Sequence, residues 1–223
     1  MADAVRFHFD PICPWCWQTS RWARRLEEVG EINLTYGVFC LELNNFTKPH
    51  DAFDPERSRS APSLRTAVLV RDEVGERACG AFYAALGQRY FHAEQDITDP
   101  TVVEGALVDA GLDAGLRAKA VDDVSTWQRV RSEHEAVAGE VGAFGVPTIR
   151  LDGGRGPAIF GPVVSEPPGD DEEAVELWRH VSWLVRNPNF HELKRNRATG
   201  PDLPYWRTFL ARRAAEAAAE TPS

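Results

Sequence analysis

The chain has only 3 lysines against 22 arginines, a single methionine, and 4 cysteines in 223 residues. It also lacks a basic excess: 34 acidic against 25 basic side chains leave a net charge of −9. Nucleic-acid binding needs a positive surface, so no nucleic-acid partner is expected. No apolar run approaches the roughly 20 residues that span a bilayer, so no membrane is expected either. The opening Met1-Ala2-Asp3-Ala4-Val5 has neither a basic n-region nor an apolar h-region. The expected location is therefore a reducing cytoplasm, where stable structural disulfides are rare. A GxGxxG following a strand is absent, and Gly153-Gly154-Arg155-Gly156 falls in a hairpin turn, so no bound flavin or dinucleotide is expected. There is one CxxC and no second CxxC or CxxH pair to complete a zinc site, so no metal is expected.

That one CxxC is the most informative feature present. A strand pattern, Val5-Arg6-Phe7-His8-Phe9, runs through Asp10-Pro11-Ile12 into Cys13-Pro14-Trp15-Cys16 at the start of a helical pattern. The first turn of a helix offers unpaired N–H groups and the positive end of the helix dipole, both of which favour a thiolate. Pro14 suits the first helical position, where its missing N–H costs nothing. One turn brings two cysteines at this spacing within bridging distance. Cys13 is thus the expected attacking thiolate and Cys16 the resolving thiol. Cys40, at the end of a strand, and Cys79, in an Ala-rich helix, read as small buried apolar residues.

Alternation predicts strands over about 4–9 and from Ile32 to Val38, flanking a helix from Pro14 to about Val29 with an apolar stripe of Trp15, Thr19, Trp22, Leu26 and Val29. Helices are predicted near 63–74, 76–91, 100–110, 113–121 and 124–141; in the last, His134 reads as a packed histidine. Strands return at Pro147–Leu151 and Ala158–Phe160 as a hairpin, and a helix capped by Asp170 or Asp171 follows over 171–186. An Ala-rich helix near 203–219 and a frayed Thr221-Pro222-Ser223 close the chain. The order β-α-β, helical block, α-β-β-α defines an α/β class with a thioredoxin-like sheet interrupted by a large all-helical insertion. The expected division is 1–49 with 143–200 for the sheet domain, 50–142 for the insertion and 201–223 for the C-terminal helix and tail. Within that frame, a cis Val146-Pro147 bond would turn the Val146 backbone toward the CxxC, where an extended substrate could pair with it.

Phe9-Asp10-Pro11-Ile12-Cys13-Pro14-Trp15-Cys16-Trp17, the insertion and Val146-Pro147-Thr148 together resemble the DsbA family of thioredoxin-fold oxidoreductases. Thr19-Ser20-Arg21-Trp22, Phe160-Gly161-Pro162-Val163-Val164-Ser165 and Phe190-His191-Glu192-Leu193-Lys194-Arg195 bring the resemblance closer to its actinobacterial mycothiol-dependent nitroreductases. The resemblance implies a cytosolic homodimer whose dithiol is reduced by the low-molecular-weight thiol mycothiol as co-substrate and passes electrons to small electrophiles such as nitroaromatic compounds, with no bound cofactor. It makes Trp15 a stacking wall for an aromatic substrate and puts Val146, Pro147 and Asn45 beside the same pocket. Asn45 as an ordinary turn residue is an equally good reading. Asp10, three residues before Cys13, either shuttles a proton for the dithiol or braces the turn with its carboxylate. In the basic run Lys194-Arg195-Asn196-Arg197, the Lys194-Arg195 pair either meets a mycothiol carboxyl group or is solvated surface, and the solvated reading is preferred. The alternative function is a FrnE-like oxidoreductase or isomerase acting on protein disulfides.

Overall fold

The structure, a computed structural model, describes residues 2–219, with side chains to residue 216. The tripeptide Thr221-Pro222-Ser223, read above as frayed, lies outside the described residues. Strand β1 (Asp3–Phe9) pairs in parallel with β2 (Ile32–Val38) and antiparallel with β3 (Thr148–Arg150). Strand β4 (Ala158–Phe160) closes the hairpin on β3, giving the order β2-β1-β3-β4. Val5, Phe7 and Phe9 alternate inward as the pattern requires, yet His8 on the opposite face is buried too. A central strand covered on both faces buries both sets of side chains.

Between β1 and β2 runs α1 (Pro14–Glu28), which ends where Gly30 takes up a left-handed φ of 80°. Its stripe is only partly as read. Thr19, Trp22 and Leu26 are buried and Trp15 is half-buried, but Val29 is 40% exposed at the helix end. The stripe also misses Trp17, which is wholly buried on a second face, against Tyr83 and Phe91 at centroid distances of 6.0 Å. Periodicity marks one covered face, whereas α1 is sandwiched between the helical insertion and α8 (Asp171–Arg186). On the α8 side the Trp22 indole donates to the Ala174 carbonyl at 3.0 Å. Truncating either buried indole to alanine would cost about 3–5 kcal/mol.

Cys40 corrects another reading. Strand β2 ends at Val38, and Cys40 caps a four-residue helix, α2 (Leu41–Asn44), that the sequence patterns did not reveal. The insertion follows as α3 (Ala61–Glu73), α4 (Glu76–Gly87), α5 (Pro100–Asp109), α6 (Gly115–Asp122) and α7 (Val124–Val141). A single π-helical stretch, Gln88–His92, extends α4 to the length expected for that helix. His134 is packed, 1% exposed, with its ring 4.3 Å from Phe39. The cap of α8 is Asp170, which accepts the Glu173 N–H at 2.9 Å. The last helix, α9 (Pro204–Ala219), is preceded by the buried Pro201 and Leu203.

Candidate redox site

Cys13 is the N-cap of α1, with φ −85° and ψ 109°, and Pro14 occupies the first helical position behind it. The thiol therefore meets helix donors rather than solvent: Cys13 Sγ accepts the Cys16 N–H at 3.3 Å. Across the cleft its Sγ lies 3.6 Å from the Val146 carbonyl oxygen, and the Val146–Pro147 bond is cis. Cys13 retains 5% exposure while Cys16, one turn deeper, has none. Burial, and then the adjacent Cys13, push the Cys16 thiol well above its ordinary range. The outer sulfur can meet a substrate; the inner one stays protonated until something takes its proton.

Asp10 has no exposure and lies close enough to Cys16 for its charge to raise that thiol further. Its Oδ1 accepts the Ile12 N–H at 3.1 Å, and its Oδ2 accepts the Leu41 N–H at 2.7 Å and the Ser60 hydroxyl at 3.2 Å. It thus braces the turn. Burial raises its pKa from an ordinary 3.8 to about 7 against those three donors, which work to lower it. A carboxyl poised near neutrality beside a thiol has the proton affinity of a general base.

Trp15 is half-buried at the rim. The Arg197 guanidinium lies 4.9 Å over its ring and Trp206 lies 6.4 Å away, so the chain after α8 forms a wall against it. That stretch is tied down by the Gln18 amide, which donates to the carbonyls of Ser165 at 2.7 Å and Asp202 at 3.2 Å. Sequence reasoning missed this. The basic run is exposed as expected of a solvated segment, but Arg197 within it has an aromatic partner. The available signal was Tyr205-Trp206, two aromatic residues at the start of an otherwise Ala-rich helix. Asn45 lies exposed at the end of α2; its described partner is Asn44, whose amide also donates to the Phe144 carbonyl at 3.2 Å. The structure therefore brings Cys13, Cys16, Asp10, Trp15, Val146 and Pro147 together, and it sets Asn45 on the α2 end that Asn44 ties to Phe144, two residues before Val146.

Cys40 and Cys79 are both buried. Cys40 contacts Ser60 at 3.8 Å, and burial lifts each thiol to about 12. Among the described residues no three His, Cys, Asp or Glu side chains cluster in a way that would hold a metal ion, and no helix is long and apolar enough to cross a membrane.

A four-stranded mixed sheet with the helical block between β2 and β3 defines a DsbA-like thioredoxin fold, and the solved structures agree. Cytosolic disulfide reductase DsbM from Pseudomonas aeruginosa superposes with a TM-score of 0.56 at 19% identity, covering 81% of this chain and 99% of that one. The "probable DsbA oxidoreductase SCO1869" of Streptomyces coelicolor gives 0.57 at 20%, covering 90% and 97%. Residues 12–195 match the Rv2466c-like family, described as mycothiol-dependent nitroreductase Rv2466c, and the chain belongs to that family. The uncharacterized protein Rv2286c of Mycobacterium tuberculosis is 34% identical over 193 residues, 86% of this chain and 81% of the relative.

Proposed function

We propose that Cys13 and Cys16 form a dithiol–disulfide centre that takes electrons from mycothiol and passes them to small electrophiles, nitroaromatic compounds among them, in the cytoplasm. Each turnover oxidises the dithiol to the Cys13–Cys16 disulfide and delivers two electrons to the acceptor, which draws the protons it needs from the site and from solvent, while the Cys16 proton passes to Asp10. Two mycothiol molecules then reduce the disulfide by exchange, the first forming a mixed disulfide on Cys13 and the second releasing it as the mycothiol dimer. The carrying observation is the asymmetry of the pair: Cys13 Sγ at a helix cap facing the Val146 carbonyl at 3.6 Å, and Cys16 wholly buried behind it. Trp15 supplies the aromatic wall for a flat acceptor. Asp10 takes the Cys16 proton as that thiol attacks. No resident cofactor is required, and mycothiol is a co-substrate. A small-thiol donor is in keeping with the similar DsbM, which has also been solved with GSH.

Reduction assays of the disulfide form with mycothiol, glutathione and thioredoxin side by side test the donor, with a nitroaromatic compound as acceptor. Faster turnover with mycothiol than with glutathione is expected; equal rates would remove the donor assignment. A second reading, reduction or isomerisation of protein disulfides, is favoured by the Val146 backbone facing Cys13, where an extended peptide can pair. Failure with every small acceptor alongside rapid turnover of a protein disulfide would move the function there.

A further inference from the structure

Asp10 has no exposure, so a proton it takes from Cys16 needs a way out. One chain of hydrogen bonds leads away from it. Ser60, itself fully buried at the start of α3, places Oγ 3.2 Å from Asp10 Oδ2 and 3.3 Å from Glu42 Oε2. Glu42, half-buried on α2, is held by the Ser58 hydroxyl at 2.5 Å and the Ser60 N–H at 3.1 Å. Glu42 and Ser58 then line an open recess of ≈350 Å³ together with Phe46, Phe53 and Arg57. The remaining titratable groups facing Asp10 are the thiols of Cys16 on α1 and Cys40 at the α2 cap. Both are protonated at neutral pH and offer no acceptor: burial pushes Cys40 to about 12, and Cys16 is the donor of the proton in question.

We propose that Ser60 relays the proton taken by Asp10 to the Glu42 carboxylate, which releases it into the recess. The step balances without a further reactant. Cys16 S–H gives its proton to the Asp10 carboxylate as its sulfur attacks Cys13 Sγ; the new Sγ–Sγ bond forms and the group held on Cys13 departs with the electron pair of its bond to that sulfur. Protonated Asp10 then donates to Ser60 Oγ while the Ser60 hydroxyl hydrogen passes to Glu42 Oε2. A hydroxyl that accepts from one carboxyl and donates to another restores itself after one rotation. Ser60 is a positioning and relay residue, since it touches neither sulfur of the pair.

The inference rests on Cys13 and Cys16 being the redox pair, and the test separates the two claims. Cys13 is loaded with 5-thio-2-nitrobenzoate as a mixed disulfide, and release of the coloured thiolate by Cys16 is followed between pH 6 and 9. Asp10→Asn should slow release by about 10²-fold and Ser60→Ala by about tenfold, as general acid–base contributions do. Ser60→Thr, which keeps the hydroxyl, should restore the rate. Glu42→Gln should match Ser60→Ala, and the double variant should be no slower than either single one, because both break the same path. A Ser60→Ala rate within twofold of wild type across the pH range, failure of Ser60→Thr to rescue, or additive losses in the double variant would each overturn the relay. Release at the wild-type rate from Cys16→Ser would instead overturn the redox pair itself.

Discussion

Two cysteines cap two helices at neighbouring strand ends, and only one of them stands opposite a second thiol. Cys13 follows β1 and Cys40 follows β2, with backbone angles of −85° and 109° against −99° and 107°. Each sulfur accepts the N–H three residues on, at 3.3 Å from Cys16 and 3.4 Å from Leu43. The cap geometry is shared; the surroundings are not. Cys13 begins a helix of fifteen residues, has Cys16 one turn on and keeps a sliver of exposure. Cys40 begins a helix of four, has no exposure, and lies close enough to Asp10 for that carboxyl to add to the effect of burial. A longer helix presents a fuller dipole to its cap, and a nearby carboxylate opposes a thiolate. A strand-to-helix cysteine is thus only half of a redox centre; its neighbours decide whether the sulfur reacts.

The sharpest break of the comparison is Cys13→Ser against Cys40→Ser. The first should remove mycothiol-dependent turnover by about 10⁴-fold or more, as loss of a nucleophile does, and the second should leave it nearly unchanged. Alkylation at neutral pH followed by peptide mapping should mark Cys13 and spare Cys40; preferential marking of Cys40 would reverse the assignment.

Asp10 lies between the two junctions and sharpens the contrast through pH. Its folded pKa of about 7 exceeds its ordinary 3.8, so between those values the folded chain holds a proton that the unfolded chain has lost. The folded state binds more protons, and Asp10 therefore costs stability as pH rises through that window, by about 1.4 kcal/mol per pH unit. His8 and His134, which burial lowers to about 4, slope the other way, because the unfolded chain takes up their protons first. The difference between Asp10→Asn and wild type isolates the aspartate. Denaturant melts at successive pH values should show the variant gaining on wild type from about pH 4 to 7 and then levelling. A flat difference would mean that Asp10 ionises normally.

What roofs the two thiols gives a smaller effect. Trp15, Arg197 and Trp206 stand over the Cys13 side, whereas Ser60 and the start of α3 close over Cys40. Trp206→Ala should raise KM for an aromatic acceptor by up to about tenfold with little change in kcat, the value of one aromatic contact. An unchanged KM would place the acceptor elsewhere. The least effect belongs to the Cys40 cap: Cys40→Ala should cost about 1 kcal/mol in urea melts and Cys40→Ser less, since the hydroxyl still accepts the Leu43 N–H.

The parts of this arrangement that depend on local chemistry were legible in the residues. Pro14 inside the CxxC, the alternation of Val5, Phe7 and Phe9, and the Asp99-Pro100 helix start each carry their own physical signal, and the fold class follows from their order. The parts that depend on distant chain were not. Nothing in Leu41-Glu42-Leu43-Asn44 marks a four-residue helix, because too few residues lie in it to show a period. Ser60 carries no signal of its own in the sequence: it precedes α3 without capping it, and its hydroxyl reaches instead to Asp10, fifty positions earlier. Trp17 lies off the apolar stripe of α1, and what buries it is α4 and the π-helical stretch. Arg197 reads as solvated because its aromatic partner is Trp15, at the other end of the chain.

The family match ends at residue 195, and the chain that leans on Trp15 begins just after it. On the proposed reading, the thiol pair and Trp15 lie inside the matched stretch, and the residues packed against Trp15 lie beyond it. Substitutions at Arg197 or Trp206 would, on that reading, change the surface packed against Trp15 and leave the Cys13 cap and Asp10 in place. Relatives that share the matched stretch can thus differ in the acceptors they admit through the residues that follow it.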